Sequence, residues 1–284
     1  MIPAPFDYVR AGSLAEAIDF LRRDPDGTKL VAGGHTLIPT LKLRLASPAL
    51  LVDIRGVAEM KGILVGEDSI SIGVLTTHAE LLASHALHQV LPIFRQAANL
   101  IADPQVRNRG TIGGSLANAD PAADWPAIVI ALKAELEVAS ASGSRRVAAN
   151  DFFVDIFSTA LEPDEVLVAI HIPRPAADTR FSYRKIRHPA SGYAVVGVAA
   201  GVRVNVGVAA DVSIGVTGAA GHAFAGDVAA KFLAGKALSQ GNIGEAARLQ
   251  SAATECLSDR YASAEYRASL VRTEITRALL ALAA

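Results

Sequence analysis

The stretch from Ile101 to Trp125 constrains this chain more than any other. Glycines, small hydroxyls, amides and carboxylates crowd together there with almost no bulky apolar side chain. A core element would not have this composition. Gly113-Gly114 lets the backbone approach a ligand closely and admits positive φ. Thr111, Ser115 and Asn118 offer hydrogen-bonding side chains, and Asp120 and Asp124 can accept bonds from sugar hydroxyls. Successive amide N–H groups in such a turn form an anion-binding nest. The alternative is a polar loop ahead of a helix that starts near Asp124.

A second stretch of the same kind narrows the choice. Ala32-Gly33-Gly34-His35-Thr36 follows the apolar run Leu30-Val31 and precedes a periodic segment from Leu37 to Leu45. The order is strand, Gly-Gly turn, helix. Such a turn can hold a phosphate through backbone N–H groups. It matches neither GxGxxG nor a P-loop. Two such turns in one chain point to a long ligand with a pyrophosphate in its middle.

Composition removes several classes. Hydrophobic residues make up 51% of the 284 residues, so the chain folds rather than staying disordered. The net charge is −1 with no basic blocks, which argues against a nucleic-acid partner. No apolar run approaches the length of a membrane span. The start of the chain, Met1 to Asp7, lacks the basic and apolar regions of a signal peptide, so the expected compartment is the cytoplasm. The one cysteine, Cys256, can form no internal disulfide and no iron–sulfur cluster. It falls in an Ala-rich segment with helical pattern and reads as packing. His78, His85 and His88 read as a solvated helix face rather than a metal site, because no carboxylate or cysteine ligand stands near.

Taken in order, the chain suggests three regions. In the first, residues 1–60, Ser13-Leu14-Ala15-Glu16 reads as a capping box. Strands at Leu30-Val31 and at Leu50 to Ile54 flank the Leu37 helix in a small β-α-β unit. In the second, residues 61–173, Ile63 to Val65 and Ser69 to Val74 form a hairpin. Thr77 caps a helix through Leu82, and Val90 to Ile101 forms another. Trp125 to Leu132 is helical, and strands follow at Ala134 to Ser140, Arg145 to Val147 and Glu165 to Ile172. In the third, residues 174–284, strands run from Phe181 to Ile186 and across Tyr193 to Val216. Helices then cover Ala225 to Leu233, Ile243 to Leu257 and Ser263 to Ala283.

With these motifs in place, the chain resembles the FAD-binding medium subunit of molybdenum hydroxylases, the carbon monoxide dehydrogenase and xanthine dehydrogenase family. The resemblance rests on Ala32-Gly33-Gly34-His35-Thr36, on Asp103-Pro104-Gln105-Val106-Arg107-Asn108-Arg109-Gly110-Thr111-Ile112-Gly113-Gly114-Ser115, and on Ala119-Asp120-Pro121-Ala122-Ala123-Asp124. Leu161 to Glu165, Tyr183 to Arg187 and Ser263 to Arg267 extend it over nearly the whole chain. It implies an α+β fold: the two-subdomain FAD-binding fold of the vanillyl-alcohol-oxidase/PCMH type, followed by a C-terminal α+β domain of the CO dehydrogenase flavoprotein type.

The resemblance also implies a site. Ala32, Gly33, Gly34, His35 and Thr36 would wrap the pyrophosphate of non-covalent FAD, with Leu37 continuing the contact. Thr111, Gly113, Gly114 and Ser115, with Asn118, would form the second cradle. Asp124 matches a carboxylate that binds FAD hydroxyls, Ile101 an apolar position against the cofactor, and the Leu161 backbone an approach to the flavin ring. Lys185 is a further polar contact or a solvated strand residue. Tyr193 is a ring neighbour or core packing. Ser191-Gly192-Tyr193 and Trp125 depart from the usual family pattern, which bears on contacts at the ring and packing near Asp124.

The implied role is a flavin relay in a cytoplasmic oxidoreductase. A large subunit would hold the molybdenum cofactor and a small subunit the [2Fe-2S] clusters, in a dimer of heterotrimers that could sit peripherally on a membrane. No side chain of this chain need act as acid, base or metal ligand. The alternatives are a self-sufficient FAD-dependent oxidoreductase of the same fold and a non-catalytic nucleotide-binding module.

Overall fold

The computed structural model describes residues 1–283. The chain opens with β1 (Asp7–Arg10), α1 (Leu14–Arg23), β2 (Thr28–Val31), α2 (Leu37–Lys42) and β3 (Leu50–Asp53). The strands form a three-stranded parallel sheet in the order β1-β3-β2. β1 has no strand signature in the sequence: its four residues, Asp-Tyr-Val-Arg, are mostly exposed, and only pairing with β3 defines it. Ser13 caps α1 by accepting the Glu16 N–H at 3.2 Å. The Glu16 carboxylate reaches the N–H of Gly12, at 2.7 Å, rather than that of Ser13.

The second region begins with the hairpin β4 (Ile63–Val65) and β5 (Ser69–Gly73), then α3 (His78–Ala83), whose Thr77 and Glu80 complete a capping box. The single helix expected over Val90 to Ile101 is instead α4 (His85–Val90) and α5 (Ile93–Leu100). Pro92 separates them, having no N–H to continue α4 but suiting the start of α5. Two short helices follow, α6 (Pro104–Arg107) and α7 (Ile112–Asn118), then α8 (Asp124–Ala131). β6 (Glu135–Ser140), β7 (Gly143–Ala148), α9 (Ala149–Phe152), a small pair β8 (Phe153–Asp155) and β9 (Ser158–Thr159), and β10 (Val166–Pro173) complete the region. Its sheet has the order β4-β5-β10-β6-β7.

The last region is an antiparallel sheet of β11 (Arg180–Arg187), β12 (Ala194–Asn205), β13 (Val208–Thr217) and β14 (Phe224–Ala225), covered by α10 (Asp227–Leu233), α11 (Gln240–Ala252) and α12 (Ala264–Ala283). Cys256 lies beyond the end of α11, half-buried, and not in a helix as its surroundings suggested.

Two cores organise these layers. One fills the space among the first two sheets and α3 to α9, and the other lies between the last sheet and its helices. Helix α8 is the bridge. All eight of its residues are buried, as its all-round apolar composition requires. Gly215 of β13 meets its backbone so closely that a Cβ would collide with the Ala127 carbonyl oxygen. Gly215→Ala is therefore an overpacking change costing about 1–3 kcal/mol, or roughly 2–10 °C of melting temperature in a chain of this size. Calorimetry on the purified variant checks this, and an unchanged melting temperature would show that the α8–β13 contact yields freely.

Candidate functional site

The first Gly-Gly turn meets the segment that leads into the second. A Cβ on Gly33 would collide with the Arg109 carbonyl oxygen and lie 2.9 Å from the Gly110 Cα. Only glycine permits that contact. Around it opens a cavity of about 630 Å³, within the roughly 300–1,000 Å³ of ligand pockets. Its walls come from Lys29 to Leu37, from the segment Ile101 to Asp124, from Leu161 to Leu167 and from Ser191 to Tyr193.

The first turn is an anion nest. Gly34 has φ of +77°, and α2 starts with no side-chain cap. Among the described residues the backbone N–H groups of Gly33, Gly34, His35 and Thr36 donate no hydrogen bond, and all four residues line the cavity, which leaves four amide donors at this turn for an anion.

The second turn is built otherwise than its composition suggested. Gly113 and Gly114 lie within α7, and neither has positive φ. Their N–H groups are used internally: Gly113 donates to Val74 O at 2.9 Å and Gly114 to Thr111 Oγ1 at 3.1 Å. Ile112 donates to Thr76 O and Ser115 to Thr111 O. Tertiary contact explains Gly113, and the cap of its own helix explains Gly114. A Cβ on Gly113 would collide with Val74, and one on Gly114 would sit 2.9 Å from Thr111 Oγ1. What this segment offers a ligand is a bare helical surface plus the Ser115 and Asn118 side chains, which have no hydrogen-bond partner among the described residues.

Asp124 begins α8 at the edge of the cavity and is buried. Lys185 Nζ reaches its Oδ2 at 2.8 Å, and the Tyr183 hydroxyl donates to Oδ1. Burial pushes the Asp124 carboxyl up against the pull of Lys185 and Tyr183, and pushes the Lys185 ammonium down against the pull of Asp124. The pair survives because each partner supplies the charge the other needs. Lys185 is thus neither a solvated strand residue nor part of the cavity wall; it stands behind Asp124 and also donates to Leu100 O at 3.4 Å.

Residues 4–175 match the family described as FAD binding domain in molybdopterin dehydrogenase, and residues 181–282 the family described as CO dehydrogenase flavoprotein C-terminal domain. The chain belongs to the FAD-binding medium subunits of the molybdenum hydroxylases. It is 39% identical over 279 residues to the carbon monoxide dehydrogenase medium chain of Afipia carboxidovorans, covering 98% of this chain and 97% of the relative. It is 36% identical over 272 residues to the glyceraldehyde dehydrogenase medium chain of Sulfolobus acidocaldarius, with 96% of each covered. The solved carbon monoxide dehydrogenase of Hydrogenophaga pseudoflava contains a chain that superposes with a TM-score of 0.97 at 37% identity, covering 99% of this chain and 98% of that one.

The medium subunit's cavity fits FAD on its own terms. It has unpaired amide donors for a diphosphate, uncapped hydroxyl and amide side chains, and a buried carboxylate at its edge. Of the residues expected from the sequence, Ala32 to Leu37, Ile101, Thr111, Gly113 to Ser115, Asn118, Asp124, Leu161 and Tyr193 line it, and Lys185 does not. The Leu161 N–H donates to Thr159 Oγ1 at 3.3 Å. Tyr193 is partly exposed at the mouth rather than packed in a core. Desolvation and the carboxylates of Asp120 and Asp124 push its hydroxyl up, opposed by a hydrogen bond with Thr36.

His78 was missed. The sequence placed it on a solvated face, yet it is buried, lines the cavity and accepts a hydrogen bond from Trp125 Nε1 at 3.0 Å. Its partner stands 47 residues away, beyond the reach of local pattern. Among the described residues no group of three or more His, Cys, Asp or Glu could hold a metal ion.

The Asp124–Lys185 pair gives a direct test. Lys185→Met strands a buried carboxylate and is expected to cost about 3–5 kcal/mol of stability. The double variant Asp124→Asn/Lys185→Met should recover most of that loss in denaturant unfolding. Equal instability of single and double variants would show that Lys185 acts by packing alone.

Proposed function

We propose that this medium subunit is the flavin relay of its enzyme, taking electrons from [2Fe-2S] clusters of a small subunit and passing them to an external acceptor. A large subunit would hold the molybdenum cofactor, and the assembly would be a dimer of heterotrimers working in the cytoplasm. Among the described residues no helix is long and apolar enough to cross a membrane. The division of labour along the chain would follow residues 1–60 and 61–173 for the cofactor and 174–284 for the C-terminal domain.

The observation that carries this reading is the nest of four unpaired amides at Gly33 to Thr36, opening on a cavity that also offers Ser115, Asn118 and Asp124. FAD, when bound, accepts electrons singly and delivers them in pairs, which joins iron–sulfur clusters to two-electron acceptors. The chain's own residues would bind and orient. Gly33 to Thr36 would hold the diphosphate with Leu37 beside it, and Asp124 a sugar or ribityl hydroxyl. Ile101, Leu161 and Tyr193 would exclude water from the ring, and Lys185 would keep Asp124 ionised.

Purification of the intact complex through this chain tests the reading. Acid-releasable FAD, two partner chains, iron and molybdenum are expected; a lone flavoprotein turning over a substrate would overturn the relay. Within that complex, Gly114→Val projects a branched side chain from an exposed cavity position. It should assemble with the partners yet hold little flavin. Full occupancy in that variant would remove the α7 surface from the cofactor site.

A further inference from the structure

His78 is the one buried titratable group at the cavity that the relay reading leaves without a task. Its relative exposure is 6%, and its environment fixes its proton. The Trp125 indole can only donate, so His78 Nδ1 must accept, at 3.0 Å. The imidazole is therefore neutral with its proton on Nε2. Burial, with the electrostatic influence of His35 and of the Arg107 guanidinium, agrees with this by holding its pKa down to about 4. Among the described residues Nε2 has no hydrogen-bond partner, and it is not one of the side-chain atoms sealed from solvent without one. It is a donor in a buried wall, open to the cavity.

Its position is set on both sides. The His78 N–H donates to Gly110 O at 3.0 Å, and Thr77 bridges Thr111, so α3 is stapled to the start of α7. A Cβ on Gly110 would lie 2.7 Å from His78 Nε2, and Gly110 is also the residue that Gly33 touches. The nest, Gly110 and the imidazole edge thus succeed one another across a single glycine. A side chain at Gly110 would close the gap between His78 Nε2 and the nest.

We propose that His78 is a binding residue for the dinucleotide: its Nε2–H donates to a diphosphate oxygen, and Trp125 is the positioning residue that fixes the tautomer. This rests on the FAD reading. A neutral donor suits the place, since the nest and the Arg107 guanidinium already supply positive potential, and an imidazolium would oppose the Trp125 N–H. The bond adds direction without adding charge.

The test uses the intact heteromeric complex, stripped of flavin and titrated with FAD and, separately, with ADP. His78→Gln keeps an N–H near the Nε2 position, whereas His78→Met has similar length and cannot donate. The Met variant should bind both FAD and ADP about tenfold or more weakly, as loss of a hydrogen bond to a charged acceptor implies. The Gln variant should stay within about threefold of the parent for both, since it retains that bond. Weakening of FAD alone would place the contact on the flavin half and overturn the diphosphate assignment. Equal behaviour of Gln and Met variants would overturn the donor role altogether. Failure of the parent complex to bind either ligand would instead sink the FAD reading, whatever the variants do.

Discussion

A carboxylate buried at the start of α8 sets the terms for the rest of this structure. Asp124 cannot be ionised in that position without compensation, and both compensating groups, Tyr183 and Lys185, come from β11. The C-terminal sheet must therefore dock against the flavin-binding region for Asp124 to keep its charge. The energy of a buried pair comes from geometry rather than from attraction as such, because desolvation offsets most of the Coulomb gain. The pair ties α8 to β11, whose Tyr183 side chain also packs in the first core. Thr217 reinforces it from β13, its hydroxyl placed between the carbonyls of Pro121 and Ala123 at 2.8 and 2.7 Å.

A second constraint is steric. Gly33 against Arg109, Gly113 against Val74 and Gly215 against Ala127 are places where a single methyl group would collide with its neighbour. Two of them draw the first sheet, the hairpin region and α7 toward one point, and the cavity is the space left around that point. Gly34 uses glycine for its left-handed freedom, whereas Gly33, Gly113 and Gly215 are required by proximity.

This explains how far the sequence could be read. The parallel unit, the hairpin, the apolar α8 and the long final helix follow from periodicity and capping, which are local signals. The Ala32 to Thr36 turn was legible for the same reason, as strand, Gly-Gly and helix follow in order. The helical state of Gly113-Gly114 was not, because contacts to Val74 and Thr76 override a poor helix propensity. Two neutral amide donors that seemed free for a ligand are spent within the fold. Lys185 and His78 were misplaced by a shared cause: each is buried by a partner in a distant segment, Asp124 and Trp125, and a single chain read along its length gives such pairs no mark.

The cavity also divides by origin. One end is made by the first turn and Gly110, whose backbones approach closely. Its mouth is closed by Ser191-Gly192-Tyr193, a turn that the C-terminal domain builds for itself. The His188 N–H donates to Tyr193 O and the Gly192 N–H to His188 O, both at 2.8 Å, while the His188 ring packs on Tyr261 with centroids 4.3 Å apart. Gly192, with φ of +74°, lets the turn close. Among the described residues no backbone hydrogen bond joins this turn to the nest, and the two meet through the Tyr193 hydroxyl and Thr36. The departures from family pattern at Ser191-Gly192-Tyr193 fall at this mouth. Relatives named for substrates as different as carbon monoxide and glyceraldehyde align with this chain over nearly its whole length. A cavity whose two ends come from separate parts of the chain suits a scaffold shared among such relatives.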